Sequence, residues 1–142
     1  MLVIGLFAAV LMSATVCAAA CDPTPTMFKG THFKAITQQQ VDIGKGLVVQ
    51  GRVLAAPDCH PVLGAKIAHW QAGKKGRYVD HLRAWLISGE DGSYRFETEW
   101  PAMHTPHIHF TVTAQGYRPL TTQWVGDESV DRVAFDIILA PE

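Results

Sequence analysis

The chain has 142 residues, 48% of them hydrophobic, with 12 Lys and Arg against 13 Asp and Glu and a formal net charge of −1. That length makes one domain with a core of its own. The balanced charge gives no basis for a nucleic-acid reader or a protein held on an anionic membrane.

Residues 1–20 stand apart. Met1 to Met12 is an apolar run, followed by small residues that end in Ala18-Ala19-Ala20. This is the core and the Ala-x-Ala cleavage site of a signal peptide, although Lys and Arg are missing from its start. A membrane-spanning helix needs about 20 strongly apolar residues, and this run fades earlier into Ser, Thr and Ala. The expectation is an exported chain, periplasmic or secreted, whose mature form begins at Cys21. A second reading makes Cys21 a lipid-attachment cysteine; against it stands Ala18, where a lipobox carries a larger aliphatic. Loss of Cys17 with the signal leaves Cys21 and Cys59. An even pair in an oxidising compartment reads as a disulfide, closing a loop of about 38 residues and contributing about 3–4 kcal/mol on the loop-entropy account. The lipid and the disulfide exclude each other.

From Cys21 to Gly46 no clean periodicity appears; Pro23, Pro25, Gly30, the run Gln38-Gln39-Gln40, Gly44 and Gly46 punctuate the stretch. This reads as an extended arm lying over the domain. A segment of that length has little reason to stay ordered alone, so packing on a neighbour, as in a homodimer, is a further expectation. From Leu47 the pattern becomes short β-type segments: 47–54, 65–71, 82–87, 93–98, 107–113, 120–125 and 132–139. Turn signals such as Ala56-Pro57-Asp58, Gly73-Lys74-Lys75-Gly76 and Glu90-Asp91-Gly92 separate them. Strands at such spacing with almost no helical stripe give an all-β fold, a β-sandwich over residues 47–142.

One strand stands out chemically. Pro106-His107-Ile108-His109-Phe110-Thr111-Val112 alternates polar and apolar, so His107 and His109 project from one face and can offer two imidazoles to one metal ion. Tyr94 alternates with Phe96 and belongs to the core. His69 reads as a packed or rim histidine, His32 and His60 as loop histidines, and Trp70, Trp85, Trp100 and Trp124 as core or rim.

Several stretches then line up: Cys59-His60-Pro61 through Trp70-Gln71-Ala72, Gly76-Arg77-Tyr78, Asp91-Gly92-Ser93-Tyr94-Arg95-Phe96, Pro106-His107-Ile108-His109-Phe110, and Thr121-Thr122-Gln123. In this order and spacing the chain resembles the intradiol ring-cleavage dioxygenases, and more closely their small exported members, which open as Cys21-Asp22-Pro23-Thr24-Pro25 does. The resemblance implies a sandwich holding a non-haem Fe(III) ion between two tyrosines and two histidines. It implies a small aromatic diol and O2 as partners, the ring being cut between its two hydroxylated carbons. His107 and His109 match the histidine pair, Tyr78 the tyrosine that stays on the metal, and Gln123 a glutamine near the substrate. His81 is a further candidate to face the substrate or back the ligands.

The match breaks in one place. The segment Trp100-Pro101-Ala102-Met103-His104-Thr105-Pro106 is short and holds neither the second tyrosine nor the arginine that typical members carry. His104 is the candidate to fill that position. A set of Tyr78, His104, His107 and His109, with Met103 nearby, offers less negative charge and suits Cu(II) as well as iron. Two readings therefore stay open: an exported intradiol dioxygenase, and a non-catalytic periplasmic copper-binding protein on the same fold.

Overall fold

The computed structural model describes residues 21–142; the expected signal peptide, residues 1–20, lies outside the described residues. Nine strands make up the body: β1 (Leu47–Ala55), β2 (His60–Pro61), β3 (Lys66–Ala72), β4 (Tyr78–Ile87), β5 (Ser93–Thr98), β6 (His107–Thr113), β7 (Leu120–Val125), β8 (Arg132–Ala134) and β9 (Ile137–Leu139). They form two sheets. In the first, β1 pairs with β2 and β5 antiparallel and with β8 and β9 parallel; in the second, the order is β4-β3-β6-β7, antiparallel throughout.

The alternation of each strand decides its inner face. Leu47, Val49 and Val53 of β1, Ile67 of β3, Tyr94 and Phe96 of β5, and Ile108, Phe110 and Val112 of β6 form one buried cluster between the sheets. Burying a side chain of this size contributes about 1.5–3 kcal/mol, and the cluster runs the length of the sandwich. The intervening residues His107, His109 and Thr111 consequently point away from the core, onto the outer face of the four-stranded sheet.

Two of the expected segments differ from the strands by more than a residue at an end. The strand expected at 82–87 begins at Tyr78, because Ala72 pairs with Tyr78 after a register shift that follows Trp70. Tyr78 is therefore a strand residue on the sheet, not a loop tyrosine. The segment expected over 132–139 is two strands, broken where Phe135 turns its amide to Gln50 O and Asp136 accepts from the Arg52 amide.

The arm lies along its own domain. Cys21 and Cys59 form a disulfide, which leaves Cys21 no free sulfur for a lipid. Backbone bonds then tie Thr24 to Ile138 and Met27 to Thr121, and the Thr122 hydroxyl donates to Pro25 O at 3.0 Å. Farther on, Gln40 N donates to Trp85 O and Trp85 N to Gln38 O, so the arm also covers the exposed edge of β4. Fastened at β7 and at β4, the stretch between must cross the outer sheet face. No helix among the described residues is long and apolar enough to cross a membrane.

Candidate metal centre

The register of the four-stranded sheet sets four side chains in a line: Arg83 of β4 opposite Trp70 of β3, Trp70 opposite His109 of β6, and His109 opposite Gln123 of β7. All four lie on the outer face, and His107 lies two residues before His109 on the same side. Trp70 is fully buried and stacks flat on the His109 imidazole, with centroids 5.0 Å apart and planes at 11°. That stacking fixes the ring. The His107 ring stands perpendicular to it at 4.7 Å.

Tyr78 closes the cluster. Its hydroxyl lies 3.0 Å from His107 Nε2 and 3.1 Å from His109 Nε2. His107 Nδ1–H donates to Thr105 O at 2.8 Å, which assigns the tautomer and leaves Nε2 with its lone pair aimed inward. Tyr78 then donates to His107 Nε2 and accepts from His109 Nε2–H. One phenol oxygen and two imidazole nitrogens thus converge on a common point, an arrangement that a cation would replace with the phenol proton lost and the His109 proton moved to Nδ1. His109 Nδ1 is buried without a partner.

The electrostatics keep the His109 imidazole in the ligand form. Desolvation pushes His109 down to about 4, with His107, Arg83 and His32 adding repulsion, so it is neutral at physiological pH. Burial raises the Tyr78 phenol above its ordinary value, and the Arg83 guanidinium opposes that rise. Two imidazole nitrogens aimed inward and a phenol that would ionise on an ion fit a ferric centre. Among the described residues no three His, Cys, Asp or Glu side chains gather in a metal-binding group, so the third donor of this site is the phenol.

Of the residues singled out from the sequence, the structure brings together Tyr78, His107 and His109, with Gln123 beside His109. It does not bring His104 to them. His104 is exposed and makes no three-histidine group with the pair; Pro101 and Pro106 hold the short segment as a turn, with Met103 N bonded to Pro101 O. His81 faces Glu99, 3.5 Å away, and His60 sits between Asp58 and Tyr117. The two other tyrosines are elsewhere: Tyr94 donates to Phe135 O and Tyr117 meets His60 at 3.0 Å.

What sequence reasoning missed lies in the arm. His32 stacks on the Tyr78 ring with centroids 4.5 Å apart and planes at 12°. Phe33 meets Trp70 edge-on at 5.2 Å. Gly30, with φ +78°, runs so close that a Cβ there would stand 3.3 Å from His109 Cε1. No spacing signal links residues 30–33 to residues 70–109; only the glycine, which a close approach requires, hinted at it. A concavity of about 690 Å³ lies elsewhere, against Gln50, Arg52 and Arg95. It contains no histidine, and the donor chemistry locates the site on the other sheet.

No protein-family model matches the chain. Among curated relatives, a chlorocatechol 1,2-dioxygenase of Pseudomonas putida is 30% identical over 68% of this chain and 51% of its own length. A hydroxyquinol 1,2-dioxygenase of Nocardioides simplex is 34% identical over 63% and 40%, and a catechol 1,2-dioxygenase of Acinetobacter baylyi 30% identical over 56% and 35%. The chain spans about half the length of these relatives or less. Among solved structures, the dioxygenase domain of a dioxygenase carbohydrate-binding protein fusion from a Streptomyces species superposes with TM-score 0.76 at 26% identity, over 85% of this chain and 100% of that one. Catechol 1,2 dioxygenase of Acinetobacter radioresistens shares the fold, with TM-score 0.76 at 20% identity over 88% and 65%. By its relatives in sequence and its neighbours in fold, the chain belongs to the intradiol ring-cleavage dioxygenase family.

Proposed function

We propose that this chain is an exported Fe(III) dioxygenase that binds a catecholic ring and, with O2, cleaves it between the two hydroxylated carbons. The observation that carries this reading is the convergence of Tyr78 Oη with His107 Nε2 and His109 Nε2 at 3.0 and 3.1 Å. Tyr78, His107 and His109 would hold the ion, which when bound would supply a Lewis acid for a catecholate and make the ring reactive toward O2.

The remaining roles belong to the chain. Tyr78 gives up its hydroxyl proton on ligation, and the nearby Arg83 guanidinium favours the phenolate left behind. Thr105 O holds His107 Nδ1–H, and Trp70 holds the plane of the His109 ring. Gln123, opposite His109 in the register, offers an amide to orient a substrate oxygen. Gly30, His32 and Phe33 keep bulk water from the face they cover. The disulfide agrees with an oxidising compartment, which supports export.

Loading the purified protein with iron and following catechol consumption, with product identified by mass, tests the reading. Ring cleavage is the expected result; an iron-loaded protein inert to catechol, hydroxyquinol and chlorocatechol overturns it. The second reading, a periplasmic copper-binding protein without ring cleavage, draws on the single phenol in the cluster, since neither Tyr94 nor Tyr117 reaches it. Copper in protein purified from its native compartment would favour that reading.

A further inference from the structure

Outside the metal centre, three side chains form a second ordered cluster. Asp58 Oδ1 lies 2.7 Å from His60 Nδ1, and His60 Nε2 lies 3.0 Å from the Tyr117 hydroxyl. His60 holds the Asp58 carboxyl below its ordinary value, and an ionised carboxylate can only accept. In the neutral imidazole Nδ1 therefore carries the proton, Nε2 holds the lone pair, and the Tyr117 O–H donates to it. Carboxylate, imidazole and phenol stand in series. They lie away from the metal centre, since Tyr117 follows the end of β6 and His107 opens it.

Exposed pairs of this kind are usually loose, but this one is held from both sides. Cys59, between Asp58 and His60, is fixed by its disulfide to Cys21 and by a bond from its amide to Ala55 O. His60 pairs with Ala55 through β2. Tyr117 bridges to Pro141, and its side chain packs against the main core cluster.

Such a series suits one reaction. Removing an electron from a phenol makes its O–H strongly acidic, so the electron leaves readily where a base stands ready for the proton. At Tyr117 that base is His60 Nε2, and Asp58 stabilises the imidazolium that forms. The chain's two other tyrosines lack this support. Tyr94 is buried and donates to Phe135 O, a carbonyl that cannot keep a proton. Tyr78 donates to His107, whose other nitrogen faces a carbonyl, and the Arg83 guanidinium carbon lies 5.9 Å from the Tyr78 ring centre, so a proton accepted there meets like charge. The disulfide leaves Cys21 and Cys59 no thiol to be oxidised first.

We propose that Tyr117 is an oxidative coupling site for phenols, with His60 as its proton acceptor and Asp58 as the positioning residue behind it. A one-electron oxidant of the metal-complex or peroxidase class takes an electron from Tyr117 as its O–H bond breaks and the proton passes to His60 Nε2. A second equivalent of oxidant takes one electron from a free phenol, whose proton goes to solvent. The two phenoxyl radicals join by a carbon–carbon bond ortho to each oxygen, and the hydrogen at each joined carbon moves to that ring's oxygen. Two electrons and two protons leave in all.

The test is oxidation of the full protein by hexachloroiridate(IV) with tyramine as the free phenol, the adduct being located by peptide mass mapping. Reduction of the iridium complex by the protein alone is followed in parallel in ordinary and in heavy water. The adduct should lie mainly on Tyr117, and the reduction should be slower in heavy water. His60→Phe should lower the Tyr117 adduct about a hundredfold or more, the contribution of a positioned base, and remove the isotope effect. Asp58→Asn, which keeps the shape without the charge, should lower the adduct about tenfold. The His60 and Asp58 side chains are 52% and 69% exposed, so neither change reaches the core. His81→Phe, at an exposed histidine 3.5 Å from Glu99, should change nothing. An adduct carried mainly by Tyr78, Tyr94 or a tryptophan, or a Tyr117 adduct that survives His60→Phe, overturns the proposal.

Discussion

His69 shows what a single side chain costs this fold. It is fully buried, lies flat on Phe96 with centroids 3.7 Å apart, and has no partner for either ring nitrogen. Burial holds its pKa down at about 3. Unfolding restores the ordinary value of about 6.5, so between those two values the unfolded chain binds a proton that the folded chain refuses. Stability present above about pH 6.5 is therefore lost as pH falls toward about 3, with a slope of up to about 1.4 kcal/mol per pH unit from this group. His69→Leu should flatten that acid limb in urea unfolding between pH 4 and 7 and stabilise the protein by about 1 kcal/mol at pH 7, because two orphaned nitrogens leave the core. An unchanged acid limb would show that other groups set it. At the metal centre, His107→Ala removes one of three donors and leaves the sandwich standing, since His107 points away from the core; metal content should fall while the unfolding midpoint stays within about 0.5 kcal/mol of the parent.

The arm is the element on which the site depends. It is fastened at β7 and β4 and touches the cluster at Gly30, His32 and Phe33. Gly30→Ala adds a Cβ 3.3 Å from His109 Cε1 and strains a φ of +78°, a cost of about 1–2 kcal/mol. Gly46→Ala carries similar strain at φ +108° with nothing within 4 Å. Both should lower stability, but only Gly30→Ala should lift the arm, seen as faster hydrogen exchange at the Met27 and Gln40 amides. Equal exchange in the two variants would mean that Gly30 does not seat the arm. The elements differ in how legible they were. The histidine pair of β6 could be read from alternation alone, because i and i+2 share a face. The start of β4 could not, since Val79, Asp80 and His81 give no alternation and the pairing of Tyr78 with Ala72 depends on a register shift after Trp70. His32 was illegible for a different reason: a contact between an arm and a sheet leaves no period in the sequence.

At the scale of the whole molecule, the disulfide and the sandwich act together. Cys21 and Cys59 close a loop of 38 residues that contains the whole arm, so the bond keeps residues 28–37 at high local concentration over the sheet. Cys59→Ser should cost roughly 2–5 kcal/mol in denaturant unfolding; a loss within error would show that the backbone bonds of Thr24, Met27 and Gln40 suffice. The two-layer architecture was legible because short strands alternating with turns leave few other solutions. His104, by contrast, is the candidate for the missing tyrosine's position in the shortened segment, and the turn between Pro101 and Pro106 exposes it instead. The donor set left is one phenol and two imidazoles, aligned by the register of four strands and covered by the arm. Metal content with a visible spectrum, on protein isolated from its native compartment and on its Tyr78→Phe variant, tests this assignment most directly. The account predicts about one iron per chain and a phenolate-to-iron absorption band that shifts when catechol is added and disappears in Tyr78→Phe; a colourless parent, or a band that persists without the Tyr78 hydroxyl, would contradict it.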